Sequence, residues 1–354
     1  MKQKAIVLAL GGLLAATTAH ADVELMGKEV QMYGKLHVSA DAYDVGGSGP
    51  NSSGGEITSN SSRLGFKGQK ALGNVNGVWK LETTIDVTGH STDFTARNRY
   101  LGLNGSWGQV TVGINYTPLR EMLDDYTIFG DTIGDSRNIL GVTSNAKKLF
   151  NVRAASMIRY DLQAGGFSSS LEFSPNANKG SNPDTQGNNN AVTSLGIGYK
   201  MGDLQFAGAY EKQVNIGNVN NANANGYRVG VKYKIADVTI GGIFEGLKDQ
   251  GYGAVVARNA YGVNAAYKLS NITLAGQYLV AATSGVNNDG ATNLTAGVYY
   301  DLAKEAQVYG MYSSIKNDSA AGYVLGIDGH GQAYVPAAVG DSVKAVSVGM
   351  IYKF

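Results

Sequence analysis

The chain has 354 residues, no cysteine, 49 glycines and a formal charge of +1 at neutral pH. Such a balance gives no footing for nucleic-acid binding, and the lack of cysteine suits an oxidising compartment. After the first residues, no segment is long and apolar enough to cross a bilayer as a helix.

Lys2 and Lys4 precede an apolar run from Ala5 to Ala16, followed by Ala19-His20-Ala21. Charge, short apolar core and small-residue site in that order read as a cleaved secretory signal peptide over residues 1–21. The remainder, 22–354, reads as one domain. Without Lys2 and Lys4 it carries 27 basic against 28 acidic side chains.

From Val30 to Ala42 the chain alternates. Val30, Met32, Leu36, Val38 and Ala40 share one parity, and Gln31, Tyr33, Lys35, His37, Ser39 and Asp41 share the other. Successive strand side chains face opposite ways, so this strand has an apolar and a polar face. About sixteen such segments follow one another: 29–43, 61–70, 75–88, 96–105, 107–116, 153–162, 166–174, 191–201, 203–213, 225–235, 237–248, 258–269, 271–283, 291–302, 305–316 and 343–354. Most have the roughly ten residues that a tilted strand needs to span a bilayer. Tyr199, Tyr210, Tyr233, Tyr267, Tyr278, Tyr300, Tyr312 and Tyr352 lie towards strand ends on the apolar parity, where membrane barrels carry aromatic girdles.

The connections alternate too. Tight turns such as Gly202, Ala236 and Ser270 separate long loops such as Asp44–Asn60, Pro175–Asn190 and Asn317–Ser342. All five prolines, Pro50, Pro118, Pro175, Pro183 and Pro336, fall in long loops, as the hydrogen bonding of central strands demands. The pattern predicts a closed antiparallel transmembrane β-barrel of about sixteen strands, with inner-parity charges solvated in its lumen. Two strands break it. Arg97 and Arg99 share parity with Leu101 and Leu103, and Ile114 lies next to an inward-turning loop; a strand whose outside meets protein rather than lipid would show such mixed faces, and a bulge or a shifted register would equally produce them.

Thr117–Val152 interrupts the alternation and reads as a third loop folded into the lumen. Glu121, Asp124, Asp125, Asp131 and Asp135 crowd its first half, against only Arg120 and Arg137. Facing Arg and Lys on the wall, such carboxylates would set a field across a narrow gap. Nothing supports an enzyme. His37, His90 and His330 lie at no metal-ligand spacing, and neither a nucleophile elbow nor a phosphate loop is present. His37, on a polar strand face, reads as a solvated lumen residue. No catalytic, cofactor-binding or metal-binding residue is assigned.

The chain resembles the general porins of the Gram-negative outer membrane. The resemblance rests on Met32-Tyr33-Gly34-Lys35-Leu36, Ser62-Arg63-Leu64-Gly65-Phe66-Lys67-Gly68, Arg97-x-x-Tyr100-Leu101-Gly102-Leu103, Gly108-x-Val110-x-Val112-Gly113 before Thr117-Pro118, Ser156-Met157-Ile158-Arg159-Tyr160, and the final Val348 to Phe354. It implies a homotrimer in outer-membrane lipid and lipopolysaccharide, whose third loop forms a constriction. Glu121, Asp124, Asp125 and Asp131 would supply its acidic side, and Arg63, Arg97, Arg99, Lys35 and Lys80 its basic side. Phe354 would be the signal read by the outer-membrane assembly machinery. Ile114 and Ala154-Ala155 depart from the family pattern, the latter weakening the expected anchoring of the loop.

The expected function is passive diffusion of small hydrophilic solutes and ions, with no cofactor. A substrate-selective channel with a lumen binding site is the first alternative, and inner Tyr33, Tyr299 and Tyr309 would suit it. An exported structural or adhesive β protein is the second.

Overall fold

The structure, a computed structural model, describes residues 22–49, 52–89, 94–178, 190–250, 256–286 and 288–354. The signal peptide over 1–21, Pro50, His90 and Pro183 lie outside them. Sixteen antiparallel strands close into a barrel among these residues. They are β1 (Gln31–Asp44), β2 (Ser53–Ser59 continued by Arg63–Leu72), β3 (Val75–Thr84), β4 (Ala96–Gly105), β5 (Gly108–Tyr116), β6 (Arg153–Ala164), β7 (Phe167–Ser174) and β8 (Ala191–Met201). Then come β9 (Leu204–Val214), β10 (Asn223–Ile235), β11 (Val238–Gln250), β12 (Val256–Leu269), β13 (Ile272–Ala281), β14 (Ala291–Asp301), β15 (Ala306–Asn317) and β16 (Val343–Lys353). Each strand pairs with its neighbours in sequence, and β16 pairs with β1, so no edge is left open.

Strand parity sets the faces. The eight girdle tyrosines all stand exposed on the outside, while Glu211, Arg228 and Glu245 on the other parity are buried. Two expectations about β2–β5 need correction. Ser53–Ser59, expected as loop, is strand; the chain kinks at Ser61, whose φ is 51°, and both halves pair with β1. The broken alternation near Arg97 is a bulge, because the register between β3 and β4 shifts between Leu81 and Thr83. The extra residue turns Arg97 inward and leaves Arg99 opposite the outward Leu81.

The Thr117–Val152 segment is not structureless. It opens with α1 (Pro118–Tyr126), capped by Thr117, whose hydroxyl accepts from the Arg120 amide. Leu119, Met122, Leu123 and Tyr126 recur at helical spacing and form the face that packs on the barrel wall. Gly230 of β10 is the seat for Tyr126: a Cβ there would come within 2.6 Å of the ring. Beyond α1, Phe129, Ile133, Ile139, Leu140, Leu149 and Phe150 continue this apolar contact with Ile243, Leu279 and Ile315 of the wall. Part of the lumen is therefore filled by a dry core, and wall charges there are buried rather than solvated as expected.

Candidate functional site

The loop's backbone polar groups need partners inside the barrel, and wall side chains supply them. Arg228 Nη1 donates to the Leu119 carbonyl at 2.7 Å, and Arg258 Nη2 donates to the carbonyls of Ile139 at 3.0 Å and Val142 at 2.8 Å. Gln213 and Gln277 donate to Leu149 and Gly134, and Asn264 donates to Tyr126. Glu245 binds both Arg228 and Arg258, so neither buried guanidinium stands uncompensated. The weak anchoring expected from Ala154-Ala155 is thus corrected: the loop is held through β9–β13, far from that dipeptide.

The loop's tip reaches β1 and β2. Asp131, in the left-handed region at φ 60°, accepts from Lys35 Nζ at 2.7 Å and Arg137 Nη2 at 2.8 Å, with Arg63 at 3.8 Å. Burial alone would raise its pKa, but Lys35, Arg137 and Arg63 outweigh it and hold the carboxyl well below the usual carboxylate range.

The other expected acidic residues do not face the basic wall. Glu121 is clamped by Arg159 of β6 through both guanidinium ends, at 3.1 and 2.7 Å. Asp124 accepts from Arg120 one helical turn back at 3.0 Å and is the most open of the four, its side chain 58% exposed. Asp125 points under the helix and has no hydrogen-bond or ion-pair partner among the described residues. Burial, followed by Asp124 and Glu121, pushes its pKa up to about 7.

On the basic side, the carboxylate missed as a partner is Glu82 of β3. It accepts from Arg97 Nε at 2.7 Å and from Tyr33 Oη at 2.9 Å, with Lys80 at 3.7 Å and Arg63 at 3.8 Å. Arg99, expected on this wall, faces the outer parity and donates to the Glu82 backbone carbonyl instead. At the loop's root, the Tyr116 ring lies between Arg120 at 4.5 Å and Arg153 at 3.9 Å. With the Arg137–Asp135 pair, these contacts join Lys35, Arg63, Lys80, Arg97 and Arg137 to Glu82, Asp131 and Asp135 in one cluster rich in cations, and gather Arg120, Arg153 and Asp124 around Tyr116 in a second. Among the described residues, no group of His, Asp and Glu is arranged to hold a metal.

Two further readings change. His37 is not solvated: it is fully buried, with its Nε2 2.9 Å from Tyr309 Oη. The long connection after β15 also turns inward. Asn138 of the third loop accepts from the amides of Gly326 and Ile327, and Lys148 pairs with Asp328. His330 lies 2.9 Å from Asp41 of β1, which also accepts from Tyr334 Oη at 2.9 Å. At the far end, the Gly34 amide donates to the Phe354 carbonyl at 2.7 Å, and a Cβ on Gly34 would strike the Phe354 ring at 2.3 Å.

The family profile described as Gram-negative porin matches residues 5–320. A major outer membrane protein P.IB of Neisseria gonorrhoeae is 30% identical over 221 residues, covering 60% of this chain and 58% of that protein's length. Among solved structures, an anion-selective porin from Comamonas acidovorans superposes with a TM-score of 0.76 at 21% identity, covering 92% of this chain and 99% of its own. OmpT of Vibrio cholerae in its trimer form gives 0.67 at 21% identity, with coverage of 92% and 99%. At these identities the structures speak for the barrel alone. With the family profile spanning most of the strands, they place the chain: it belongs to the Gram-negative porin family.

Proposed function

We propose that this outer-membrane barrel is a passive diffusion channel for small hydrophilic solutes and ions, with a preference for anions. The observation that carries the reading is the position of the third loop. It is bonded to β6 and β8–β13 and meets β1 and β2 through its tip, which sets it opposite Arg63, Lys80 and Arg97. Glu121 is taken up by Arg159, and Asp131 is neutralised by Lys35 and Arg137, so cations outnumber free carboxylates at this wall. The relative from Comamonas is described as anion-selective, which agrees with this sign. Solutes pass without covalent change.

A homotrimer is part of the same proposal. Exposed aromatics stud most of the strands β6–β16, whereas β1–β5 expose aliphatics such as Ile57, Leu81, Leu101 and Val112, with exposed aromatics among the described residues there only at Phe94 and Trp107 in the connections beside β4. A face with so sparse a girdle fits contact with protein rather than with lipid headgroups. Lipopolysaccharide around the remaining face and recognition of Phe354 by the assembly machinery belong to the proposal too.

The test is a planar-bilayer recording with potassium chloride at unequal concentrations. Stepwise conductance with a reversal potential of the anion-selective sign supports the reading. Absence of conductance overturns the channel, and the opposite sign overturns the preference.

A further inference from the structure

Behind α1, on the side away from the basic cluster, lies a crevice between the helix and strands β7–β9 that none of the contacts above uses. Its apolar side is Met122 and Tyr126, and its polar side is Asp125, Ser168, Lys200 and Gln205. Ser168 is 4% exposed and Gln205 6% exposed, and neither side chain has a hydrogen-bond partner among the described residues, so their polar groups are left to whatever enters the crevice. Asp125 also has no hydrogen-bond partner there, and burial, followed by Asp124 and Glu121, raises its pKa against the weaker pull of Lys232. Lys200, Gln205 and Lys232 lie side by side across β8, β9 and β10. The crevice thus holds an acid and a base without ion-pair partners, Asp125 and Lys200, and two hydrogen-bonding groups over an apolar floor, while Lys232 stands beside it over the Tyr126 ring.

We propose that this crevice binds a small zwitterion of the amino-acid class. Its ammonium meets Asp125, its carboxylate meets Lys200, and Ser168 and Gln205 take the remaining hydrogen bonds. The free space is about 60 Å³ on a measure where one water needs roughly 10–15 Å³. That is room for about five water-sized bodies, close to the six or so heavy atoms of alanine and too little for a peptide. Met122 and Tyr126 would cover the methyl group. Glu121 borders the crevice but is held by Arg159, which leaves Asp125 as the carboxylate free to act.

The inference needs only that solute reaches the lumen, and it is tested without conduction. Detergent-solubilised barrel is titrated with L-alanine, ethylamine and propionate while ligand signals are followed by saturation-transfer NMR. Saturable binding of alanine, stronger than that of either singly charged analogue, is expected. Asp125→Asn and Lys200→Gln should each weaken it at least tenfold, in protein whose heat-modifiable gel mobility shows a closed barrel. If either charge variant fails to close, Gln205→Leu, which keeps the charges, should still weaken alanine binding several-fold. No saturable alanine binding, equal binding of ethylamine or propionate, or unchanged affinity in the closed variants would overturn the site. A barrel that binds alanine but conducts nothing would sink the channel reading and leave this one standing.

Discussion

Lys35 Nζ lies 2.7 Å from Asp131 Oδ2, and this contact ties the tip of the third loop to the first strand of the barrel. Both groups are largely shielded from solvent, and Arg137 completes the cage around the carboxylate. Asp131→Asn should leave Lys35 without a counter-charge, while Arg137 keeps Asp135 and Arg63 keeps Glu82. The expected result is a larger anion preference together with noisier single-channel current as the tip detaches. Reversal potential and current variance read both. Wild-type protein should not show this on mild acidification. The carboxyl titrates well below the usual range, so the pair persists through the range in which ordinary carboxylates protonate and is lost only at lower pH.

Glu82 neutralises the wall rather than the loop. Replacing it by Gln keeps the shape and removes the charge that Arg97, Arg63 and Lys80 share. The anion-to-cation permeability ratio should rise about two- to fivefold, an order of magnitude set by partly screened lumen charges. A ratio unchanged from wild type would mean that permeating ions do not sense this wall.

Asp125 supplies a titration near neutrality. Its folded pKa of about 7 lies above the unfolded value, so ionisation is disfavoured in the fold. Its protonated form favours the fold at low pH, and this contribution is lost as pH rises from about 4 through about 7. Cation permeability should therefore step up between pH 6 and 8 as the carboxylate appears. The step should vanish in Asp125→Asn, whose thermal stability should also fall less with rising pH. A wild-type pH profile preserved in the Asn variant would assign the step to another group.

Arg258 reaches two loop carbonyls and Glu245 at once. Arg258→Met removes these bonds and leaves Glu245 with Arg228 as its ion-pair partner and the Gly141 amide as a donor. Breaking one partner of a buried ion network costs about 3–5 kcal/mol. The barrel strands keep their own ladder, so the loss should fall on the loop. The variant should be nicked by protease within 139–150 while its strands stay protected, and gel analysis with mass spectrometry of the fragments would show it.

Phe354 closes the barrel seam against Gly34. Deleting Phe354, or introducing Gly34→Val so that the ring cannot lie there, should lower the yield of assembled barrel in cells severalfold. Normal yield in both would separate this contact from assembly. A deletion defect without a Gly34→Val defect would place the role of Phe354 outside the folded structure.

Strand number, strand faces and the alternation of turns with loops were legible in the sequence because parity and length report directly on a sheet with one lipid face. Arg97 and Arg99 were harder. A bulge shifts parity by one residue, and only the register between Leu81 and Thr83 reveals where it falls. The partners of the loop carboxylates were not legible, because they depend on the path of α1 across the lumen. That path is set by apolar fit, with Tyr126 on Gly230 and the Leu119–Phe150 core against the wall, together with wall arginines that reach loop carbonyls, and neither is visible in strand parity. His37 was read from its face alone. The same face becomes dry wherever a loop lies on it.

Asn138 couples two loops from inside the barrel. It belongs to the third loop, yet its side-chain oxygen holds the backbone amides of Gly326 and Ile327 in the connection that folds in after β15. The two segments are therefore one mechanical body: remodelling the stretch around residue 326 would pull on the third loop through two hydrogen bonds, and a change made in that connection would be felt in the lumen.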